Sequence, residues 1–185
     1  MDVRSPWTSA KPLNPSTSPR RVQLLRSSGR EVVTADPGLD DAAEAAIAAE
    51  ALRRGLGPGG ACVRLAVAKL LAALQRARAG QQVLAADTTV VCDGAFLGKA
   101  VDRAEAERML SGLRDREHEA LTGVAGLDAR GRLRTALGRS LVRFTAFTAE
   151  ALAAYLDSGQ WRGKAGAYGL QDPALAPLLG GVTGS

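Results

Sequence analysis

Ten residues, Val83 to Cys92 (Val-Leu-Ala-Ala-Asp-Thr-Thr-Val-Val-Cys), constrain this chain more than any other stretch. They are rich in β-branched side chains and read as a strand. Asp87 interrupts the apolar run. A carboxylate there is costly to bury unless it has partners. It either caps a turn at the strand end, or it ligates a metal or activates a water. Asp93-Gly94 follows as a tight-turn signal, with Ala95-Phe96-Leu97 as the returning hairpin strand. Such a hairpin would carry Lys99 back toward Asp87.

The rest of the chain supplies helices and further strands. A short helix starts at Pro19, capped by Ser18, and Glu31 to Ala35 suits a strand. Asp40 to Arg54 is Ala-rich and helical. The Gly-rich stretch 55–60 breaks it and reads as a linker. A helix from Ala61 to about Arg78 has apolar Val63, Leu65, Val67, Leu70, Leu71 and Leu74. Asp102 and Glu105 form a capping box for a helix through Leu110. Glu117 to Leu127 and Leu133 to Phe147 read as strands around an Asp128–Gly131 turn. Thr148 caps a helix to Asp157, and the tail from Asp172 is broken by Pro and Gly. The chain is 46% apolar and only 4% aromatic, which fits a helix-rich α/β or α+β protein better than a sandwich. Residues 1–15 read as an irregular arm and 16–185 as one domain.

Four lysines stand against twenty arginines. Three of the four, Lys69, Lys99 and Lys164, lie inside recognisable local patterns. A lysine grips phosphate as a compact point charge, without the planar fork of arginine. The net charge of +5 favours anionic partners. Cys62 and Cys92 form no Cys-x-x-Cys pair, so a reducing, cytoplasmic setting is expected. No run of ~18 apolar residues is read, so no membrane span is expected. The first twenty residues lack the apolar core of a signal peptide.

Several segments could carry chemistry. Ser16-Thr17-Ser18-Pro19-Arg20-Arg21 sets two hydroxyls and two guanidinium groups at a helix N-terminus, a plausible phosphate grip, or else a capped surface helix. Lys164-Ala165-Gly166-Ala167-Tyr168-Gly169-Leu170-Gln171 surrounds one aromatic with small residues that let a backbone approach a ligand. Gln171 can read a donor and an acceptor on a base edge. The same segment also suits an ordinary loop. The Gly-rich stretch lacks the Gly-Lys-Ser/Thr of a P-loop, and His118 is the single histidine, which excludes His-rich metal sites. With three Phe, two Tyr and two Trp, the stacking surfaces of a nucleic-acid module are lacking, so no nucleic-acid partner is expected.

Taken in order, these motifs resemble the Maf-type nucleotide pyrophosphatases, the septum-formation-inhibitor family. The order is Ser-x-Ser-Pro-Arg-Arg, the acidic pair Asp40-Asp41, Arg64-Leu-Ala-x-x-Lys69, Ala86-Asp87-Thr88, Gly98-Lys99, His118-Glu-x-x-Thr-Gly-Val and Lys164-Ala-Gly-Ala-Tyr-Gly-x-Gln171. The match runs from about Ser16 to Gly180. The resemblance implies an elongated, Maf/ITPase-like α/β fold, a central mixed sheet flanked by helices with an active-site cleft, often dimeric. It implies cleavage of nucleoside triphosphates between the α and β phosphates with a divalent cation, Mg or Mn. Ala86-Asp87-Thr88 and the last motif look like the dTTP/UTP-acting branch.

By this resemblance Asp87 would take the proton of the attacking water or position that water, and Asp87 and Asp41 would hold the metal. Arg20, Lys69, Lys99 and Lys164 would hold the triphosphate, with Ser16 and Ser18 in support. Arg21, Thr88 and Gln171 would set base specificity. The chain departs from the family pattern in places. Lys11-Pro12-Leu13-Asn14-Pro15 stands where an apolar strand is usual, Asp41 where glutamate is usual, Ala100 for a proline, Gly163 for an aspartate and Asp172 for a glycine. The family's Gly-Leu-Pro-containing segment and last helix are expected to be missing after Ser185. These departures motivate a second reading, a degenerate, weakly catalytic module for nucleotide binding or division-related regulation.

Overall fold

The computed structural model describes residues 13–14, 19–27, 33–34, 38–77, 82–127 and 130–184. Its elements, in chain order, are β1 (Leu13–Asn14), α1 (Pro19–Ser27), β2 (Val33–Thr34), α2 (Asp41–Arg53), α3 (Gly57–Leu74), β3 (Val83–Cys92) and β4 (Ala95–Leu97). They continue with α4 (Arg103–Leu113), β5 (Glu117–Leu127), β6 (Leu133–Phe144), α5 (Ala149–Asp157), a 3-10 turn (Pro173–Leu175) and β7 (Leu179–Gly184). The strands form one mixed sheet in the order β2-β1-β3-β5-β6-β7, with β4 beside β3. β1 runs parallel to β2 and β3, whereas β4 is antiparallel to β3 and β7 to β6. The α/β class and the mixed sheet expected from the sequence are therefore present.

The chain divides into two compact units. The first comprises residues 1–87 and 123–137, the second 88–122 and 138–185. In the first, α2 and α3 pack on each other. Ala66, Leu70, Ala73, Val83, Ala85 and Ala125 form its apolar cluster. Small residues dominate because backbones approach closely. A Cβ on Gly123 would lie 2.5 Å from the Cys62 carbonyl oxygen and 2.8 Å from the Val63 nitrogen, so β5 touches α3 only because this residue lacks a side chain.

The second unit has the bulkier core, with Leu110, Leu113, Val142, Phe144, Tyr155 and Leu178 almost completely buried. Burying each large apolar side chain contributes about 1.5–3 kcal/mol. At its heart His118, Phe144 and Tyr168 meet edge to face, with centroids 5.0–5.4 Å apart. Edge-to-face pairing adds to what area burial alone provides.

Local expectations hold where capping chemistry is strong. The Asp40 and Asp102 carboxylates accept from the Ala43 and Glu105 N–H groups, each at 2.7 Å. The Glu105 carboxylate reaches back to the Val101 N–H at 2.8 Å, closing the box one residue ahead of the usual N-cap position. Thr148 caps α5 through the Ala151 N–H. Asp93 and Gly94 both have positive φ, 49° and 77°, as a two-residue hairpin turn demands.

Three expectations need correction. The supposed linker 55–60 belongs mostly to α3, which starts at Gly57 with Pro58 in its first turn; proline suits that position because its missing N–H would be unpaired there anyway. The tail from Asp172 is not merely broken: it makes a 3-10 turn and the edge strand β7, which pairs Val142 with Val182. Leu13–Asn14, inside the stretch read as an irregular arm, forms a two-residue strand between β2 and β3. Two residues are too short a run for periodicity to register.

One further difference concerns α3. Its 18 residues have the length and mean hydropathy, 1.3, of a membrane-crossing helix, although no such span was expected. Arg64 and Lys69 interrupt it, and Ala61, Cys62, Leu65, Ala66, Lys69, Leu70 and Ala73 are buried. That pattern belongs to a core helix.

Candidate active site

Within the first unit the acidic strand residue has partners. Asp87 is 7% exposed. Its Oδ1 accepts from the Lys69 ammonium at 2.5 Å, and the same ammonium lies 2.7 Å from Glu44 Oε1. Lys69 is itself 8% exposed. One cation thus meets two carboxylates, from α2 and β3, in a setting with little water. Such groups are tolerated because each charge has an opposite neighbour. Helix spacing explains the convergence: Lys69 lies on the buried face of α3, and Glu44, three residues from Asp41, on the half-buried face of α2.

The backbone around Asp87 is held as well. The Cys62 thiol donates to the Asp87 carbonyl at 3.4 Å and accepts from the Gly123 N–H at 3.1 Å. Arg21 Nη1, from α1, donates to the Ala86 carbonyl at 2.6 Å. Arg21, Cys62 and Lys69 thus all converge on the Ala86-Asp87 step. Thr88, the next residue of β3, is exposed, as strand alternation requires. Its hydroxyl lies 3.1 Å from that of Thr122.

The second unit organises the other lysine motifs. Lys99 is exposed and forms an isolated antiparallel bridge with Ala165, so the two lysine-bearing segments run side by side. Gly166, next in line, donates its N–H to the Leu97 and Gly98 carbonyls at 3.1 and 2.9 Å. A Cβ there would sit 3.0 Å from three atoms of Val90, and its φ is +66°, so the position requires glycine. Ala167 also has positive φ, 61°, an uncommon conformation for alanine that costs energy to hold.

Lys164 Nζ lies 2.6 Å from both oxygens of Asp172, and the Tyr155 hydroxyl donates to Asp172 Oδ2 at 3.0 Å. Gln171 is exposed. His118, 2% exposed, bonds the Tyr168 hydroxyl through Nε2 at 2.8 Å. Its Nδ1 is buried without a hydrogen-bond partner. Burial, aided by the Arg116 charge, lowers the His118 pKa to about 4, and burial alone pushes the Tyr168 hydroxyl upward. His118 is therefore neutral at ordinary pH and shares one hydrogen bond with the Tyr168 hydroxyl.

Of the residues singled out from the sequence, Asp87, Lys69 and Arg21 gather in the first unit. Lys99 and Lys164 lie on adjoining segments of the second, with Thr88 and Gln171 exposed there. Arg20 lies in α1. Ser16 and Ser18 fall outside the described residues. Asp41 is exposed in the first turn of α2, and it is Glu44, one turn on, that meets Lys69. Glu44 escaped notice because an Ala-rich helix offers no motif around it; its three-residue spacing from Asp41 was the available signal. Tyr155 and Cys62 were also missed, since neither belongs to a recognisable pattern.

A divalent cation takes oxygen ligands, and Mg²⁺ commonly uses one or two carboxylates, the remainder being water and substrate phosphates. Asp87 and Glu44 fit that donor set, as both already converge on one positive charge. Among the described residues no group of three or more His, Cys, Asp or Glu is placed to hold a metal ion.

A protein-family model described as Maf-like protein matches residues 15–185. The dTTP/UTP pyrophosphatase of Burkholderia thailandensis is 45% identical over 164 residues, 86% of this chain and 77% of that protein. The proteins of the same name from Ralstonia nicotianae and Symbiobacterium thermophilum are 41% and 42% identical, over 92% and 91% of this chain and 82% and 81% of their own. Among solved structures, a nucleoside-triphosphatase (dITP/XTP pyrophosphatase) from Mycobacterium abscessus aligns over 74% of each chain, with a TM-score of 0.46 and 17% identity.

Proposed function

We propose that this chain, which belongs to the Maf-like protein family, hydrolyses nucleoside triphosphates to the monophosphate and pyrophosphate, with dTTP and UTP as its substrates. The observation that carries the reading is the buried carboxylate of Asp87, gripped by Lys69, in a chain so closely related to dTTP/UTP pyrophosphatases.

The reaction asks for three things. A water must lose a proton as its oxygen bonds the α-phosphorus, the α–β bridging bond must break, and negative charge must be met on the departing pyrophosphate. Asp87 takes the proton, a role that contributes about 10²–10⁴-fold. Lys69, with Glu44 behind it, keeps the Asp87 side chain in one orientation. Arg20, Lys99 and Lys164 meet the phosphate charge, with Ser16 and Ser18 in support; cations placed in advance stabilise charge that develops in the transition state. Arg21, Thr88 and Gln171 select the base, an amide being able to donate and accept on a pyrimidine edge.

A divalent cation, Mg or Mn, held by Asp87 and Glu44, with Asp41 one helical turn away, would supply further neutralisation of phosphate charge. Cys62 and Cys92, which form no disulfide, fit a reducing cytoplasm, and a homodimer belongs to the same proposal.

The test is pyrophosphate release from dTTP, UTP, CTP and GTP with Mg²⁺ or Mn²⁺. Turnover of dTTP and UTP is expected, falling on the order of a thousandfold in Asp87→Asn. Folded protein that releases no pyrophosphate from any of the four would sink the reading and favour the degenerate, nucleotide-binding alternative.

A further inference from the structure

The Lys164 ammonium is held by an aspartate in much the way a phosphate would hold it. Its Nζ is equidistant, 2.6 Å, from both Asp172 oxygens. The carboxylate is fixed from behind by the buried Tyr155 hydroxyl at 3.0 Å. The Lys164 side chain is 22% exposed and that of Asp172 11%, so the lysine still opens to solvent while its partner is largely enclosed. Asp172 stays put and the ammonium end can be shared. The Asp172 N–H also bonds the Gly169 carbonyl, and its carbonyl accepts from the Leu175 N–H. Both ends of this residue are thereby anchored.

We propose that Asp172 is a built-in anion that occupies Lys164 where a substrate phosphate would bind, and so limits how tightly the site holds triphosphate and the pyrophosphate product. The inference rests on the reading of Lys164 as a phosphate ligand. The physical reason is competition. A carboxylate at hydrogen-bond distance cancels most of the field of the ammonium, and an incoming phosphate must share the lysine's donors with a like-charged neighbour. On the product side the same carboxylate recaptures the lysine and helps pyrophosphate leave. Asp172 thus trades affinity for release.

The experiment is calorimetric binding of inorganic pyrophosphate to the full chain at one fixed magnesium concentration. It compares the native protein, Asp172→Asn, Lys164→Met and the double variant, at low and high salt. Asparagine keeps the shape and can still accept from Lys164 and Tyr155, but it carries no charge. Asp172→Asn is expected to bind pyrophosphate about threefold to tenfold more tightly. The gain should shrink at high salt and vanish in the Lys164→Met background; a purely structural role would not produce that dependence. Should Asp172→Asn fail to fold, Asp172→Ser is read in the same way. Equal or weaker binding by the charge-free variant, or a gain that persists without Lys164, overturns the proposal. A native protein that neither binds pyrophosphate nor hydrolyses any nucleoside triphosphate removes the functional reading, and this proposal with it. Native turnover with unchanged variant binding removes the proposal alone.

Discussion

Lys69 and Lys164 are both paired with aspartate, yet they sit in opposite physical regimes. Lys69, in the first unit, is 8% exposed and shared between Asp87 and Glu44. Lys164, in the second, is more open, and its one carboxylate is also served by Tyr155. A buried cation between two anions is a structural necessity, because removing it strands two charges. A cation that keeps some exposure is more readily replaced, because water takes up part of what the partner loses. On the proposed function the two lysines hold different tasks: one would fix the catalytic carboxylate, and the other would remain available to a ligand.

The largest test of this contrast is Lys69→Met. It should destabilise the protein by about 3–5 kcal/mol, as breaking a buried pair does, and abolish turnover too. Urea unfolding measures the first and pyrophosphate release the second. A loss under 1 kcal/mol would mean that water reaches this trio and that the contrast is wrong.

Acid sharpens the comparison from the other unit. His118 has its pKa lowered to about 4 by burial, against an ordinary value near 6.5. Above about pH 6.5 both the folded and the unfolded chain hold it neutral, and its contribution is fully present. As pH falls toward 4 the unfolded chain binds a proton that the folded one refuses, so about 3 kcal/mol is lost across that window. Stability measured from pH 7 to 4 should slope downward, and the slope should flatten in His118→Asn. An equal slope in the variant would assign the acid sensitivity to other groups.

Lys164→Met should cost only about 1–2 kcal/mol, because Asp172 keeps its hydroxyl donor. Its main effect should be a higher KM for dTTP. If its unfolding curve instead matched that of Lys69→Met, the two lysines would belong to one regime. The smallest effect should come from Arg103→Ala, which breaks an ion pair to Asp157 between side chains 46% and 70% exposed. A change within about 1 kcal/mol is expected by thermal unfolding; a larger one would mean that exposure is a poor guide to ion-pair strength here.

Much of the fold was legible because it is written locally. Asp102 and Thr148 mark helix starts by their side-chain oxygens, Asp93-Gly94 marks a hairpin by its tolerance of positive φ, and β-branched residues mark β3. Each signal acts over a few residues, where chain connectivity already brings the groups together. Local rules failed where a segment's state depends on remote partners. Gly57–Gly60 looked like a linker, but tertiary packing overrides the weak helix propensity of glycine. Leu13–Asn14 and β7 became strands because neighbouring strands offered them hydrogen bonds.

The sequence by itself determined which chemistry was on offer: one carboxylate in an apolar strand, three lysines in separate motifs, and one histidine. Only the tertiary structure decided who meets whom. It brought Glu44 to Lys69, set the Cys62 thiol against the Asp87 backbone, and gave Asp172 both Lys164 and Tyr155. The reason is physical. A motif specifies residue types along the chain, whereas the cost of burying a charge depends on which opposite charges and donors the fold brings within about 3 Å.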